Sequence, residues 1–511
     1  MQKLPIGIQD FAKLREGGFV YVDKTKNIYE LTSQGGYYFL SRPRRFGKSL
    51  LVSTMKELFS GNKELFKGLW IEDKWNWEET HPVLHIPFAS LGYKSLGLEA
   101  ALHRYLDKII KHRGFDIQEE SLSQKFEELL IALSQENEVV LLIDEYDKPI
   151  IDYLGGEIEQ AKEHQQVLKN FYSVIKDNDR YLHMVFITGV SKFSKVSIFS
   201  DLNNLEDLTV GDYLTADMMG YTQEELEHCF AEYIPPTAEM LQMSREELLE
   251  EIRAWYNGYS WDGKCFVYNP FSILNFFKKR AFFNFWFQTA TPTFLIELIK
   301  RKPYYDFDGM EVGLAAFESF DLDHISTISL LFQTGYLTIK SINEYQIAVL
   351  GYPNREVKQS MLSHLMTVFA DVDAAEVPPV AIHLRQALVD GDIERLVSVL
   401  NGLFKRLPHQ LKGKTEAFYH AVVHIIFHLL GIFLRSEVNT SEGRADAIVE
   451  TDCAVYCIEF KFDKTAREAL EQIKEKGYLD GYRQLGRKLI AVGINFSSSS
   501  GAIDDWVVEE Y

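Results

Sequence analysis

Arg42-Pro-Arg-Arg-Phe-Gly-Lys-Ser49 is the stretch from which the fold is read. Its last three residues, Gly47, Lys48 and Ser49, close a G-x-x-x-x-G-K-[ST] pattern, the loop that joins a strand to a helix around the phosphates of a nucleoside triphosphate. The flanks agree, because Tyr37–Leu40 is a short apolar strand and Ser49–Phe59 has helical spacing. Backbone N–H groups of such a loop, and of the helix it opens, point at the phosphates. Lys48 neutralises charge on the β- and γ-phosphates, and Ser49 is a ligand for Mg²⁺. Arg42 stands where the first glycine is expected. Glycine tolerates positive φ and close phosphate approach and arginine does not do so freely, so against the general pattern this position weakens the motif. A bare Gly-Lys-Ser also occurs by chance.

Support comes from Val139-Val-Leu-Leu-Ile-Asp-Glu145, a continuous apolar strand that ends in two acids. Such a run is expected of a buried parallel strand. Asp144 holds Mg²⁺ through water or Ser49, and Glu145 polarises the attacking water. The competing reading is a buried strand that ends in acids at a turn, and the loop upstream weighs against it. A third strand, His183–Thr188, ends near Thr188 and Ser191, either of which could sense the γ-phosphate, or the segment is a simple turn. Arg44 and Arg45 face phosphate or nucleic acid, or are solvated loop charge. No arginine finger stands out.

With 511 residues the chain is long enough for about three domains of ~150 residues. Frequent Phe (35) and Tyr (26) argue against disorder over most of the length. A net charge of −20 argues against a protein that coats nucleic acid with its whole surface, though not against a local basic site. Cys229, Cys265, Cys453 and Cys457 form no CxxC pair, so neither a disulfide framework nor a zinc site is expected. The first ten residues lack a secretory layout, and the apolar run from His420 to Leu434 is short for a membrane span and interrupted by His424 and His428. The expectation is a cytoplasmic protein without a membrane partner.

Strand–helix alternation over residues 1–215 implies an α/β domain with a mostly parallel sheet. Residues 216–375 read as a mainly helical, aromatic-rich middle region, with a small β unit near Tyr336–Ile339 and Tyr345–Leu350. From 376 to 511 the order α-β-β-α-β makes a compact C-terminal domain, with strands Ala445–Glu450, Ala454–Phe462 and Lys488–Ile494 and helix Thr465–Gly477.

Phe39-Leu-Ser-Arg-Pro-Arg-Arg-Phe-Gly-Lys-Ser-Leu50, preceded by Tyr21-Val-Asp-Lys-Thr25, resembles the AAA-ATPase-like family of bacterial proteins. The similarity continues into Tyr256-Asn-Gly-Tyr-Ser-Trp261 and Tyr268-Asn-Pro-Phe-Ser272. The resemblance makes Arg42 the usual residue of an Arg-Pro-Arg-Arg loop. It implies a P-loop ATPase fold and a C-terminal nuclease-like domain of the PD-(D/E)xK class.

That domain has its own constellation. In strand Ala454–Phe462, alternation puts Glu459 and Lys461 on one face and Ile458 and Phe460 on the other. Asp446 on the preceding strand lies about a hairpin away, so the strands can bring all three together. Two carboxylates bind Mg²⁺ or Mn²⁺, and Lys461 orients the attacking water or stabilises the phosphorane. Asp-x(n)-Glu-x-Lys is the PD-(D/E)xK pattern, with Ala445 in the place of Pro. The alternative is a structural ion pair at a sheet edge. Glu416 is placed like an additional metal-binding acid, and Gln472 like an accessory polar residue, or both sit on solvated helix faces. His420, His424 and His428 share a helix stripe, for which packing outweighs a metal site. Arg467, Lys474, Lys476, Arg483, Arg487 and Lys488 supply local basic charge suited to phosphate, with a solvated face as the default.

The sequence thus specifies an α/β fold: a P-loop NTPase parallel-sheet domain, a mainly helical middle region and a restriction-endonuclease-like domain. Its function reads as an ATP- and Mg²⁺-dependent ATPase coupled to a metal-dependent nuclease acting on DNA. The alternative is a nucleotide-dependent switch or binding protein whose nuclease fold is inactive.

Overall fold

The computed structural model describes residues 1–33, 35–192, 199, 202, 204–286, 307–317, 326–370, 377–405, 422, 423, 425–427, 429, 435–437 and 446–511. Strands β1 (Gly36–Ser41), β2 (Val83–Pro87), β3 (Val139–Asp144), β4 (Leu182–Gly189) and β5 (Leu205–Asp207) form one sheet in the order β2-β3-β4-β1-β5. All its pairs are parallel. Every residue of β3 is buried, which accounts for its unbroken apolar run. Helix α1 (Lys48–Phe59) leaves the phosphate loop, and α2 (Ile158–Asp177) crosses from β3 toward β4. Because β4 lies between β1 and β3, the carboxyl ends of all three come together, Ser41 pairing with Gly189 and Ile143 with Ile187. Ligands of open α/β sheets bind at this edge.

Composition changes at residue 216, but the chain does not leave the first compact unit there. That unit holds Met1–Leu295 and Asp308–Glu356, and the second holds Ile296–Phe307 and Val357–Tyr511. One apolar core explains why: Val20 and Val22 of the amino-terminal segment pack with Phe230, Ile252, Tyr256, Tyr268 and Phe276. The middle β unit is present and gains a third strand, in the order β6-β8-β7: β6 (Met310–Gly313), β7 (Thr338–Ile342) and β8 (Ile347–Gly351).

In the second unit the helices Val377–Asp390 and Ile393–Lys405 precede a mixed sheet. Its strands β9 (Arg435–Glu437), β10 (Ala447–Glu450), β11 (Ala454–Phe462), β12 (Lys488–Ser497) and β13 (Ala502–Glu510) run in the order β13-β12-β11-β10-β9. Only β11 and β12 are parallel, joined through helix α3 (Ala466–Lys476). The close seat of α3 depends on Gly493, where a Cβ would lie 2.2 Å from the Ala466 carbonyl oxygen. Gly493 pairs with Glu459, so this glycine brings α3 onto the acidic face. Glu416, His420, His424 and His428 lie outside the described residues. Cys453 is exposed at the turn between β10 and β11, while Cys457 is buried. No described helix is long and apolar enough to cross a membrane.

Candidate functional site

The loop after β1 is held open from below. Gly47 precedes α1 at φ 95°, a left-handed conformation that glycine takes without strain. The Lys48 ammonium donates to the carbonyl oxygens of Arg42 (2.8 Å) and Pro43 (2.9 Å). Burial lowers its pKa, and Arg44 adds to this, while Glu145, Asp144 and Asp147 oppose it. A cation so held gains from an arriving polyphosphate. Ser49 hydrogen-bonds the Asp144 carboxylate, whose pKa burial raises. Among the described residues the buried Asp144 Oδ1 has no hydrogen-bond partner. An orphaned carboxylate oxygen beside a serine hydroxyl fits a Mg²⁺ site. Glu145 follows at φ 54°, a conformation costing a non-glycine residue about 1–3 kcal/mol and concentrated at functional sites.

Arg44, Arg45, Gly47, Lys48, Ser49 and Glu145 line one cavity of about 330 Å³. Ile8, Tyr221, Phe271 and Leu274 supply its apolar wall. Residues missed in the sequence matter here. Asp147, buried, accepts from the backbone N–H groups of Val190 (2.9 Å) and Ser191 (2.6 Å) and from the Ser191 hydroxyl (2.7 Å). The Thr188 hydroxyl donates to the Leu40 carbonyl oxygen at 2.9 Å. Both hydroxyls offered as γ-phosphate sensors are therefore engaged, Thr188 with the Leu40 carbonyl and Ser191 with Asp147. A DExD spacing, Asp144 to Asp147, is the signal that could have found it.

Arg42 turns away from the phosphates. It is 1% exposed, and its guanidinium donates to the carbonyl oxygens of Ser41 (2.9 Å), Thr209 (2.9 Å) and Thr215 (3.0 Å). It stacks 4.1 Å from the Trp261 ring. Burial pulls its pKa down to about 9, against the pull of Asp207, Asp212 and Asp262. Arginine at the first glycine position is thus a staple that fixes the loop to the segment after β5. Arg42→Gly restores the general pattern on paper yet leaves three carbonyls unpaired. It is expected to lower unfolding free energy by roughly 3–4 kcal/mol, measured by denaturant titration.

The two motifs of the middle region grip the same loop. Phe46 packs edge-on against Tyr259 (4.8 Å) and Trp261 (5.4 Å), and Arg45 lies over Phe271 at 5.0 Å. The Trp286 indole N–H donates to the Arg44 carbonyl at 3.1 Å. Its backbone N–H donates to Glu356 (2.6 Å), which also accepts from the Ser272 hydroxyl (2.7 Å). Burial pushes Glu356 up to about 7 against these bonds. A carboxyl raised from its unfolded value favours folding below that value, and the contribution is lost as pH rises through about 7. Glu356→Gln should therefore melt above wild type at pH 8, by up to about 3 kcal/mol, and match it at pH 4, in thermal scans.

In the second unit Asp446, Glu459 and Lys461 meet. Asp446 accepts from the Phe460 N–H at 2.8 Å, and Glu459 from the Asp446 N–H at 3.2 Å. The Lys461 ammonium is 3.3 Å from Glu459 Oε1 and donates to Gln472 Oε1 at 2.6 Å. The Gln472 amide also donates to Glu459, and lies 3.4 Å from the Tyr478 hydroxyl, which sequence reading missed. Burial, then the Asp446 charge, raises the pKa of Glu459; Lys461 opposes both. Two converging carboxylates are a donor set that suits Mg²⁺ or Mn²⁺. Among the described residues no third acid or histidine joins them. The basic charge nearby is largely spent: Arg467 and Lys474 both pair with Glu509, Arg483 with Asp480, and Arg487 with Glu450.

A parallel P-loop sheet with its acid pair, followed by a mixed sheet bearing Asp, Glu and Lys, defines an AAA-type ATPase fold with a PD-(D/E)xK nuclease fold. The family described as predicted AAA-ATPase matches residues 5–199, and the PD-(D/E)XK nuclease superfamily matches 414–506. An uncharacterized protein encoded in the vnfD 5′ region of Azotobacter chroococcum mcd 1 is 40% identical over 524 aligned positions, covering 99% of each chain. No solved structure matches. The chain belongs to this AAA-ATPase-like family and carries a PD-(D/E)XK nuclease superfamily domain at its C-terminus.

Proposed function

We propose that the chain is an ATP-hydrolysing enzyme coupled to a metal-dependent phosphodiesterase that cuts nucleic acid, DNA by analogy with the nuclease class, in the cytoplasm. Residues 1–215 form the ATPase domain, 216–375 carry its effect, and 376–511 form the nuclease domain. The observation that carries the reading is the convergence of Asp446, Glu459 and Lys461 on one sheet face beside Gln472.

At the first site the loop N–H groups and Lys48 bind the triphosphate, Ser49 and Asp144 hold Mg²⁺, and Glu145 takes a proton from water. At the second, Asp446 and Glu459 hold Mg²⁺ or Mn²⁺, and Lys461 orients the water. Bound there, the ion would supply charge neutralisation at the scissile phosphate and lower the pKa of the attacking water. The second reading, a nucleotide-dependent switch with an inactive nuclease fold, is favoured by the pairing of Arg467, Lys474, Arg483 and Arg487 with acids. Purified protein is assayed for phosphate release and for cleavage of DNA and RNA with each metal, with and without ATP. Absence of cleavage under every condition leaves the switch.

A further inference from the structure

Arg44 and Arg45 line the same cavity as Lys48, and in a chain of net charge −20 neither guanidinium has a carboxylate partner among the described residues. Acids are near enough to be chosen: Glu145 and Asp147 line that cavity too. The two arginines are held differently. Arg44 is half-buried, its carbonyl fixed by the Trp286 indole, and its charge acts on Lys48. Arg45 is exposed, and its guanidinium rests on the face of Phe271, itself a wall of the cavity. A contact of this kind at an exposed site is weak. It is a resting place that a triphosphate can outbid.

The backbone supplies the second observation. Arg45 sits at φ 70°, a left-handed conformation that strains a residue with a Cβ. Glycine would take it freely, and the chain places arginine there. Its neighbour Phe46 is buried against Tyr259 and Trp261, and this packing holds Arg45 in the strained conformation with its side chain lining the cavity.

We propose that Arg45 is the arginine finger of this ATPase, supplied in cis from within the phosphate loop, so that hydrolysis needs no arginine from a second copy. The proposal rests on the ATPase reading above. When ATP enters, Arg45 leaves Phe271 and contacts the γ-phosphoryl oxygens beside Lys48. The water oxygen bonds to the γ-phosphorus and the bond to the β,γ-bridging oxygen breaks. ADP leaves with that oxygen, and the water proton passes to Glu145 and then to solvent. Arg45 neutralises the charge that builds up on the γ-phosphoryl oxygens.

The test uses the full chain with ATP and Mg²⁺. Arg45→Gly relieves the backbone, so its melting temperature is expected at or above wild type, while turnover falls on the order of 10²-fold or more with ATP affinity within a few-fold. Arg45→Lys should restore part of the turnover. Wild-type activity per chain should stay constant on dilution. A residue serving only the loop's shape would not give a variant that is as stable, binds ATP and is slow. Turnover of Arg45→Gly within a few-fold of wild type overturns the proposal. So does wild-type activity that vanishes on dilution and returns on adding a Lys48→Ala chain, which can donate an arginine in trans. A wild-type protein that binds ATP without hydrolysing it overturns the finger and leaves the binding site standing; one that binds no ATP removes both.

Discussion

Lys461→Ala is expected to lower metal-dependent cleavage by about 10²–10³-fold while the C-terminal sheet stays folded. The side chain bridges Glu459 Oε1 and Gln472 Oε1, so its loss removes charge from the one face where Asp446 and Glu459 meet. Packing loses little, because Val455, Cys457, Leu470, Ile473 and Ala491 make the core beneath it without Lys461. Without that ammonium, burial and the Asp446 charge, which favour the protonated form of Glu459, are opposed by the Asp446 N–H and the Gln472 amide but by no cation in this cluster. Metal affinity should therefore weaken and cleavage should move to higher pH, since ligands must be ionised to bind. Asp446→Ala makes a useful contrast. It removes a ligand and the acceptor for the Phe460 N–H, so it should lose both cleavage and the thermal shift produced by Mn²⁺. Lys461→Ala should keep a reduced shift. Equal cleavage by wild type and Lys461→Ala would place the chemistry elsewhere.

What the sequence made legible follows from where its information is local. The phosphate loop, β3 and the Glu459–Lys461 alternation are short motifs whose geometry is set by neighbours in the chain, and the structure has them as read. Helix α2 was passed over because its first turns, Ile158-Glu-Gln-Ala-Lys-Glu, carry few apolar residues and Glu157 offers no side-chain cap. Three-residue β5 has too little alternation to register, yet its position beside β1 brings Thr209 and Thr215 to Arg42. The role of Arg42 lay beyond local reading for that reason: its partners Thr209 and Thr215 are more than 160 positions away. Long-range hydrogen bonds likewise hid Asp147 and the Trp286–Glu356 pair. Both strand faces of β11 were readable, but the pairing of Arg467 and Lys474 with Glu509 on β13 was not, because β13, Ala-Ile-Asp-Asp-Trp-Val-Val-Glu-Glu, carries four acids and little apolar alternation.

Glu145→Gln should leave ATP bound and nearly unhydrolysed, with turnover down by about 10³-fold and affinity within a few-fold of wild type. The amide has the size of the carboxyl and can occupy the same wall of the cavity, but it cannot take a proton from water. Lys48→Ala is the control for binding. It removes the cation that the Arg42 and Pro43 carbonyls hold ready, and should cost affinity as well as rate. Phosphate release and nucleotide-binding titrations separate the two effects. A protein whose site only binds gives no turnover in wild type and no change in Glu145→Gln. A trapped ATP state also reads the coupling between the two activities. If ATP binding licenses the nuclease, Glu145→Gln with ATP cleaves at least as fast as wild type, because the licensing state persists. If hydrolysis is the driving step, the same variant is silent at Asp446, Glu459 and Lys461 although all three are intact. The two mechanisms predict opposite results from one variant, and Lys461→Ala in the same background identifies the cleavage as belonging to this chain.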